Sequence, residues 1–399
     1  MKYNFDKVID RHNTNAMSTD GFRDYLFGDK PDIKLACADR DLVSMWIADM
    51  DFAVAAEIIE AIKSRLDQEI LGYTQLSGAE YLPAFLIWVY SRYGLEFKAE
   101  HVVHSSGVVP ALYDLIKYLC KSEEKVLICT PSYGFFKHAA DANSTELVCS
   151  KLINDNGYYR MDLADFRAKA EDEKVSLFLL CNPHNPTGRV WSVQELRQIA
   201  DICLQNNVTI VADEIHCDLL RAGQTFTPLA KLYPNCDKII TCMAASKTFN
   251  LAGMMFATII IPCDTLREQW QQDHMPITHP LSLVAVQAAY EKGHDWLQEL
   301  SVYLDDNFKF LASFLHQKLP KAVHHTSQST YLAWIDVSAY LGQEINLTEF
   351  FAQQAGVLLE GGDMFVGNAQ GCIRLNLACP RKKLLIALNK ITEAILCHK

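Results

Sequence analysis

Between about residues 100 and 261 the chain alternates short, continuous apolar runs with helical patterns, and this alternation constrains the fold more than any other feature. The runs fall at 126–130, 146–152, 175–181, 208–212, 238–243 and 256–261, and the helical patterns at 109–120, 134–141, 163–171 and 193–206. Strands that are apolar at every position have to be covered on both faces, which indicates a mainly parallel sheet between layers of helices. Two amphipathic helices are expected earlier, at 55–68 and 81–93, behind a polar, irregular arm. Beyond about 290 the order changes to a long helix, a strand at 330–335, a helix at 347–354, strands at 357–359 and 372–376, and a last helix. That order suits a smaller α+β domain. A chain of 399 residues exceeds one ordinary core, and the expected division is 1–50 for the arm and part of the small domain, 51–288 for a large ligand-binding domain, and 289–399 for the small domain.

Charge and composition remove several classes of function. A net charge of −11 leaves no surplus of cations to neutralise phosphates, so a nucleic-acid partner is not expected. No apolar run reaches 18 residues, so no membrane span is expected, and the first residues lack the apolar stretch of a signal peptide. The thirteen cysteines are scattered, odd in number and without a C-x-x-C pair. This argues for a reducing cytoplasm and against a disulfide framework or a zinc site.

Chemistry-bearing residues gather where the apolar runs end, the place where open α/β sheets bind ligands. Thr241–Met243 lead into small residues around Lys247. Buried there, the amine would lose its charge more readily and attack carbonyl carbon; a lysine pointing to water is the alternative. Asp213 follows another buried run and, as a buried acid, asks for a cation such as a protonated ring nitrogen. His216, three residues on, is either a ligand to the same group or a satisfied core histidine. Cys181-Asn-Pro-His-Asn185-Pro-Thr-Gly188 sets two Asn-Pro steps in a rigid loop that would aim Asn185 into the crevice. Tyr133 could stack on a flat ligand or close the core. Gly107, with Pro110 at an early helical position, opens a helix whose free N–H groups suit a phosphate. Arg374 stands alone in an apolar strand and needs a carboxylate, from the substrate or from the protein.

A phosphate cradle, an aromatic plate, an Asn, an Asp, a Lys and an Arg together match the needs of pyridoxal phosphate. The motifs Trp46-Ile-Ala-Asp-Met-Asp-Phe52, Gly107-Val-Val-Pro-Ala111, Asn182-Pro-His-Asn185, Asp213-Glu-Ile-His216, Ser246-Lys-Thr-Phe-Asn250 and Arg374-Leu-Asn-Leu-Ala-Cys-Pro380 carry the resemblance. Over nearly its whole length the chain resembles the fold-type I pyridoxal-phosphate enzymes of the class I/II aminotransferase superfamily, and within them the cystathionine β-lyase-like C–S lyases. The resemblance implies an aspartate aminotransferase-like α/β fold with a seven-stranded, mainly parallel sheet. It implies a Schiff base on Lys247, which also acts as general base, with Asp213 on the pyridinium, Asn185 on the phenolic oxygen and Tyr133 stacked on the ring. Val108, Val109 and Ser246 would approach the phosphate beside Gly107, with His216 on the cofactor. Tyr73 would reach the neighbour's phosphate in a homodimer with shared sites, and Arg374 would hold the carboxylate of a small amino-acid substrate. Ala244 and Met255 stand where many members carry a phosphate-binding serine and arginine. The implied reaction is β-elimination; transamination uses the same residues, and a regulatory protein retaining the fold is a third reading.

Overall fold

The computed structural model describes residues 2–28, 30, 32–76, 81–367 and 369–398. Its centre is a seven-stranded sheet of β1 (Val102–Ser105), β2 (Lys125–Thr130), β3 (Glu146–Lys151), β4 (Val175–Cys181), β5 (Thr209–Asp213), β6 (Ile239–Met243) and β7 (Ala257–Ile260). Their spatial order is β1-β7-β6-β5-β4-β2-β3. Only β7 runs against its neighbours; the pairs β2/β3, β2/β4, β4/β5 and β5/β6 are parallel. The residues of β4, β5 and β6 are buried with hardly an interruption, because apolar cores lie on both faces of the sheet.

Four helices matter to the site. The arm contributes α1 (Phe22–Phe27), whose Phe22, Leu26 and Phe27 pack with Trp46 and Leu358. Next come α2 (Ala56–Leu66), α3 (Tyr81–Tyr93) and α4 (Val108–Leu119). In α4 the first intrahelical bond runs from Ala111 N to Gly107 O at 3.2 Å. Pro110 therefore occupies a position where no N–H is missed, and the amides of Val108 and Val109 precede the hydrogen-bonded ladder.

The C-terminal third builds a three-stranded antiparallel sheet from β8 (Leu332–Asp336), β9 (Glu360–Gly361) and β10 (Cys372–Asn376), with β10 in the middle. The arm lies beside it: Val43–Ser44 form a separate two-residue parallel ladder with Val357–Leu358, and Met45 O accepts from the Asn376 amide of β10 at 2.8 Å. A second short ribbon pairs Thr74–Gln75 with Ile277–Thr278.

One buried carboxylate ties the segment after β5 to the lysine turn. Asp218 accepts hydrogen bonds from Trp88 Nε1, from the Tyr93 hydroxyl and from Thr248 Oγ1 at 3.0 Å, and pairs with Arg92 Nε at 2.6 Å. Asp218→Ala would strand four donors, a guanidinium among them, so a loss of about 3–5 kcal/mol is expected. Urea unfolding of the variant beside the wild type measures it.

Candidate active site

The turn holding Lys247 is α5 (Ala245–Thr248), directly after β6. Lys247 is half-buried and donates to the Ala48 carbonyl oxygen at 2.6 Å, 199 residues away in the chain. The Tyr331 hydroxyl donates to the same oxygen at 2.8 Å. Burial pushes the amine down to about 8, and Arg374 pushes the same way against the opposing pull of Asp49, Asp213 and Glu360. A neutral amine is the reactive form. In cofactor-free protein, labelling of Lys247 by a small aldehyde with borohydride should therefore rise through half its maximum near pH 8, while exposed lysines respond near pH ~10.4. Peptide mass spectrometry across a pH series reads both.

The stretch 46–52 is placed by two asparagines from the same motifs as Lys247 and Arg374. Asn250 Nδ2 donates to the carbonyls of Met50 and Phe52, both at 3.0 Å, while its Oδ1 accepts from Met50 N at 2.9 Å. Asn376 Nδ2 donates to the carbonyls of Ile47, at 2.7 Å, and Asp49. Arg11 of the arm adds a fork onto Asp49. The backbone of the tryptophan motif is thereby fixed, and Ala48 presents its oxygen to the lysine.

At the end of β5, Asp213 is buried, and its carboxylate accepts the Ile215 amide at 3.2 Å. Among the described residues no side chain donates to it. Burial raises it to about 6, against the Ile215 amide and the charge of Lys247. His216, also buried, is held neutral, down to about 3, chiefly by burial and further by Lys247 and Arg374. Its Nδ1 has no hydrogen-bond partner.

The loop after β4 is as rigid as its prolines suggest. His184 accepts the Gly188 amide at 2.7 Å and donates its own to Arg189 O at 2.8 Å. Gly188 has φ +68°, and a Cβ there would stand 2.3 Å from the Ser327 Cβ, so no other residue fits. This turn presents Asn185, whose Oδ1 accepts from Arg374 Nη1 at 3.0 Å, leaving its amide hydrogens to the crevice. Arg374 also donates through Nη2 to Trp46 O at 3.2 Å and pairs with the buried Glu360. The choice of carboxylate for Arg374 thus has an answer inside the protein. Tyr133, half-buried after β2, lies tilted against Phe135 with ring centroids 5.3 Å apart, and its hydroxyl is pushed far up, first by burial and then by Tyr25, Glu360 and Asp213.

Tyr73, expected at the neighbour's phosphate, is 97 % exposed beside the 74–75 ribbon. The residues missed from sequence are Tyr331, the Ala48 carbonyl and Tyr25. Tyr25 lies 4.8 Å from the Trp46 ring, within reach of the charges of Glu360 and Arg374. Nothing local to those residues marked them.

An unpartnered buried imidazole nitrogen, a buried acid with no side-chain donor and two unladdered amides all ask for a group the chain does not supply. Pyridoxal phosphate fits them: a ring nitrogen for the acid and a phosphate for the amides. The sequence profile described as aminotransferase class I and II matches residues 40–391. The chain belongs to that family. The family member is 35 % identical to cystathionine beta-lyase PatB of Bacillus subtilis, over 98 % of this chain and 100 % of the relative. It is 31 % identical to protein MalY of Escherichia coli, over 98 % and 99 %. Among solved structures, a PLP-bound C-S lyase from Staphylococcus hominis superposes with a TM-score of 0.94 at 47 % identity, covering 99 % of this chain and 98 % of that one.

Proposed function

We propose that the protein is a pyridoxal-phosphate-dependent C–S β-lyase that cleaves L-cystathionine or related cysteine thioethers to pyruvate, ammonia and a thiol. The observation that carries this reading is that Asp213, a buried acid without a side-chain donor, and His216, an imidazole with an unpartnered nitrogen, both lie within electrostatic reach of Lys247, an amine that burial brings down to about 8. When bound, pyridoxal phosphate supplies a sink for the electrons left at Cα. Asp213 holds the ring nitrogen protonated, Asn185 holds the phenolic oxygen and Tyr133 covers the ring. His216 borders the cofactor, while Gly107, Val108, Val109 and Ser246 take the phosphate. Lys247 anchors the cofactor and then removes the substrate's Cα proton. Arg374 fixes the carboxylate. The Cβ–S bond would break with its electron pair leaving on sulfur, which takes up a proton to depart as the thiol, and the released 2-aminoacrylate would be hydrolysed by one water to pyruvate and ammonia.

The test is a coupled assay. Pyruvate, ammonia and thiol should form from cystathionine without an added keto acid; strict dependence on a keto acid would overturn the lyase in favour of an aminotransferase.

We read the active unit as a homodimer with shared sites. Ile70, Leu71, Tyr73, Met255 and Met275 are exposed, and a groove of about 920 Å³ runs past Ser105, Ser106 and Pro110 at the start of α4, lined also by Met255 and Met275. An apolar rim of this kind marks a protein–protein face. Tyr73 would then complete the neighbour's phosphate site. Lys247→Ala and Tyr73→Ala homodimers should both be impaired, yet their hybrid holds one intact site. Equal mixing, giving half hybrids, should restore about a quarter of wild-type activity. Absence of any recovery after subunit exchange would count against shared sites.

A division at 50 and 288 draws support from the bonds of residues 43–45 of the arm to Gly356, Leu358 and Asn376 of the C-terminal third. No helix among the described residues is long and apolar enough to cross a membrane. Unpaired cysteines throughout support a cytoplasmic setting.

A further inference from the structure

The guanidinium assigned to the substrate is already engaged. Arg374 is 1 % exposed, and its hydrogens go to Asn185 Oδ1, Trp46 O and Glu360, with Nε buried and unpartnered. Two of those acceptors are neutral amide oxygens. The third is a carboxylate, the same chemistry a substrate would bring. Glu360 stands directly opposite Arg374 in the β9/β10 register and is itself 4 % exposed. It cannot withdraw with its backbone: Gly361 and Gly362 follow, and a Cβ at Gly362 would lie 1.7 Å from the Ala369 carbonyl oxygen. Two carboxylates on one buried fork repel each other.

We propose that Glu360 is a specificity-determining residue that competes with the substrate's carboxylate for Arg374, so that this ion pair opens each time an amino acid binds. The proposal rests on the reading above that Arg374 receives the substrate. It explains why a buried glutamate lies on the active-site guanidinium when no proton transfer calls for it. Its consequence is selectivity: a lone carboxylate is held weakly, and a ligand has to gain elsewhere, through its amine and side chain, what the competition removes.

Calorimetric titration of the holoenzyme with 3-(methylthio)propanoate tests this, because that probe has the carboxylate and thioether but no amine to react. Glu360→Gln should bind the probe about tenfold tighter or more than wild type. Glu360→Asp, which draws the charge back from the fork, should also bind tighter, and circular dichroism and Tm report whether each variant is folded. Arg374→Gln should lose the probe. Unchanged or weaker binding in both Glu360 variants, with binding lost in Arg374→Gln, overturns the competition while leaving the Arg374 reading intact. Wild-type binding in Arg374→Gln overturns the underlying reading, and the proposal with it.

Discussion

Lys247→Ala is expected to abolish pyruvate release, with kcat lower by about four orders of magnitude or more, because one residue both anchors the cofactor and moves the Cα proton. The fold should survive. The lysine's hydrogen bond is to the Ala48 carbonyl, which keeps the Tyr331 hydroxyl as a donor when the amine is gone. Two measurements separate the roles. Borohydride treatment followed by mass spectrometry should fix cofactor mass on the wild type and none on the variant. Addition of a primary amine such as methylamine should restore a fraction of the proton transfer. Cofactor mass still fixed on Lys247→Ala would show that another amine is the anchor.

Asp213→Asn is the second large effect. A carboxylate near 4 Å from a ring cation is worth roughly 4 kcal/mol at an effective dielectric of ~20, about three pKa units. The amide cannot hold the ring protonated, so kcat should fall about 10³-fold, while KM for the thioether changes little. Burial lifts Asp213 to about 6 even against the charge of Lys247; a protonated ring nitrogen would bring it back down. Because the depressed state depends on that nitrogen, the wild type should lose activity on acidification only well below pH 6 once loaded. A kcat of Asp213→Asn within tenfold of wild type would remove the acid from its assigned role.

Much of the large sheet was legible because its strands are buried on both faces. The run 175–181 and the helices 81–93 and 347–354 match the structure residue for residue. Elements held by distant partners were not legible. Val43–Ser44 and Thr74–Gln75 are two-residue strands, too short to show any period. The hairpin at 153–160 is likewise small and polar. The site divides in the same way. Asn185, Asp213 and Lys247 sit at or just beyond a strand end and Arg374 in the middle of an apolar strand, each where its residue type is out of place, so sequence alone exposes them. Glu360 carries no signal of its role in the sequence, because its pairing with Arg374 follows from the β9/β10 register, which no local pattern encodes. Tyr331 looks like any buried tyrosine until the arm folds over it.

The oxygen that receives Lys247 belongs to the main chain. Side-chain exchange at position 48 therefore leaves the lysine's resting place untouched, and sequence drift there should be tolerated within the limits of space. Dependence has been transferred to Asn250 and Asn376, whose side chains hold the 47–52 backbone through five hydrogen bonds, one from just beyond the lysine turn and the other from β10. For anyone redesigning this pocket, those asparagines are the fixed points, and the residues nearest the lysine are the adjustable ones.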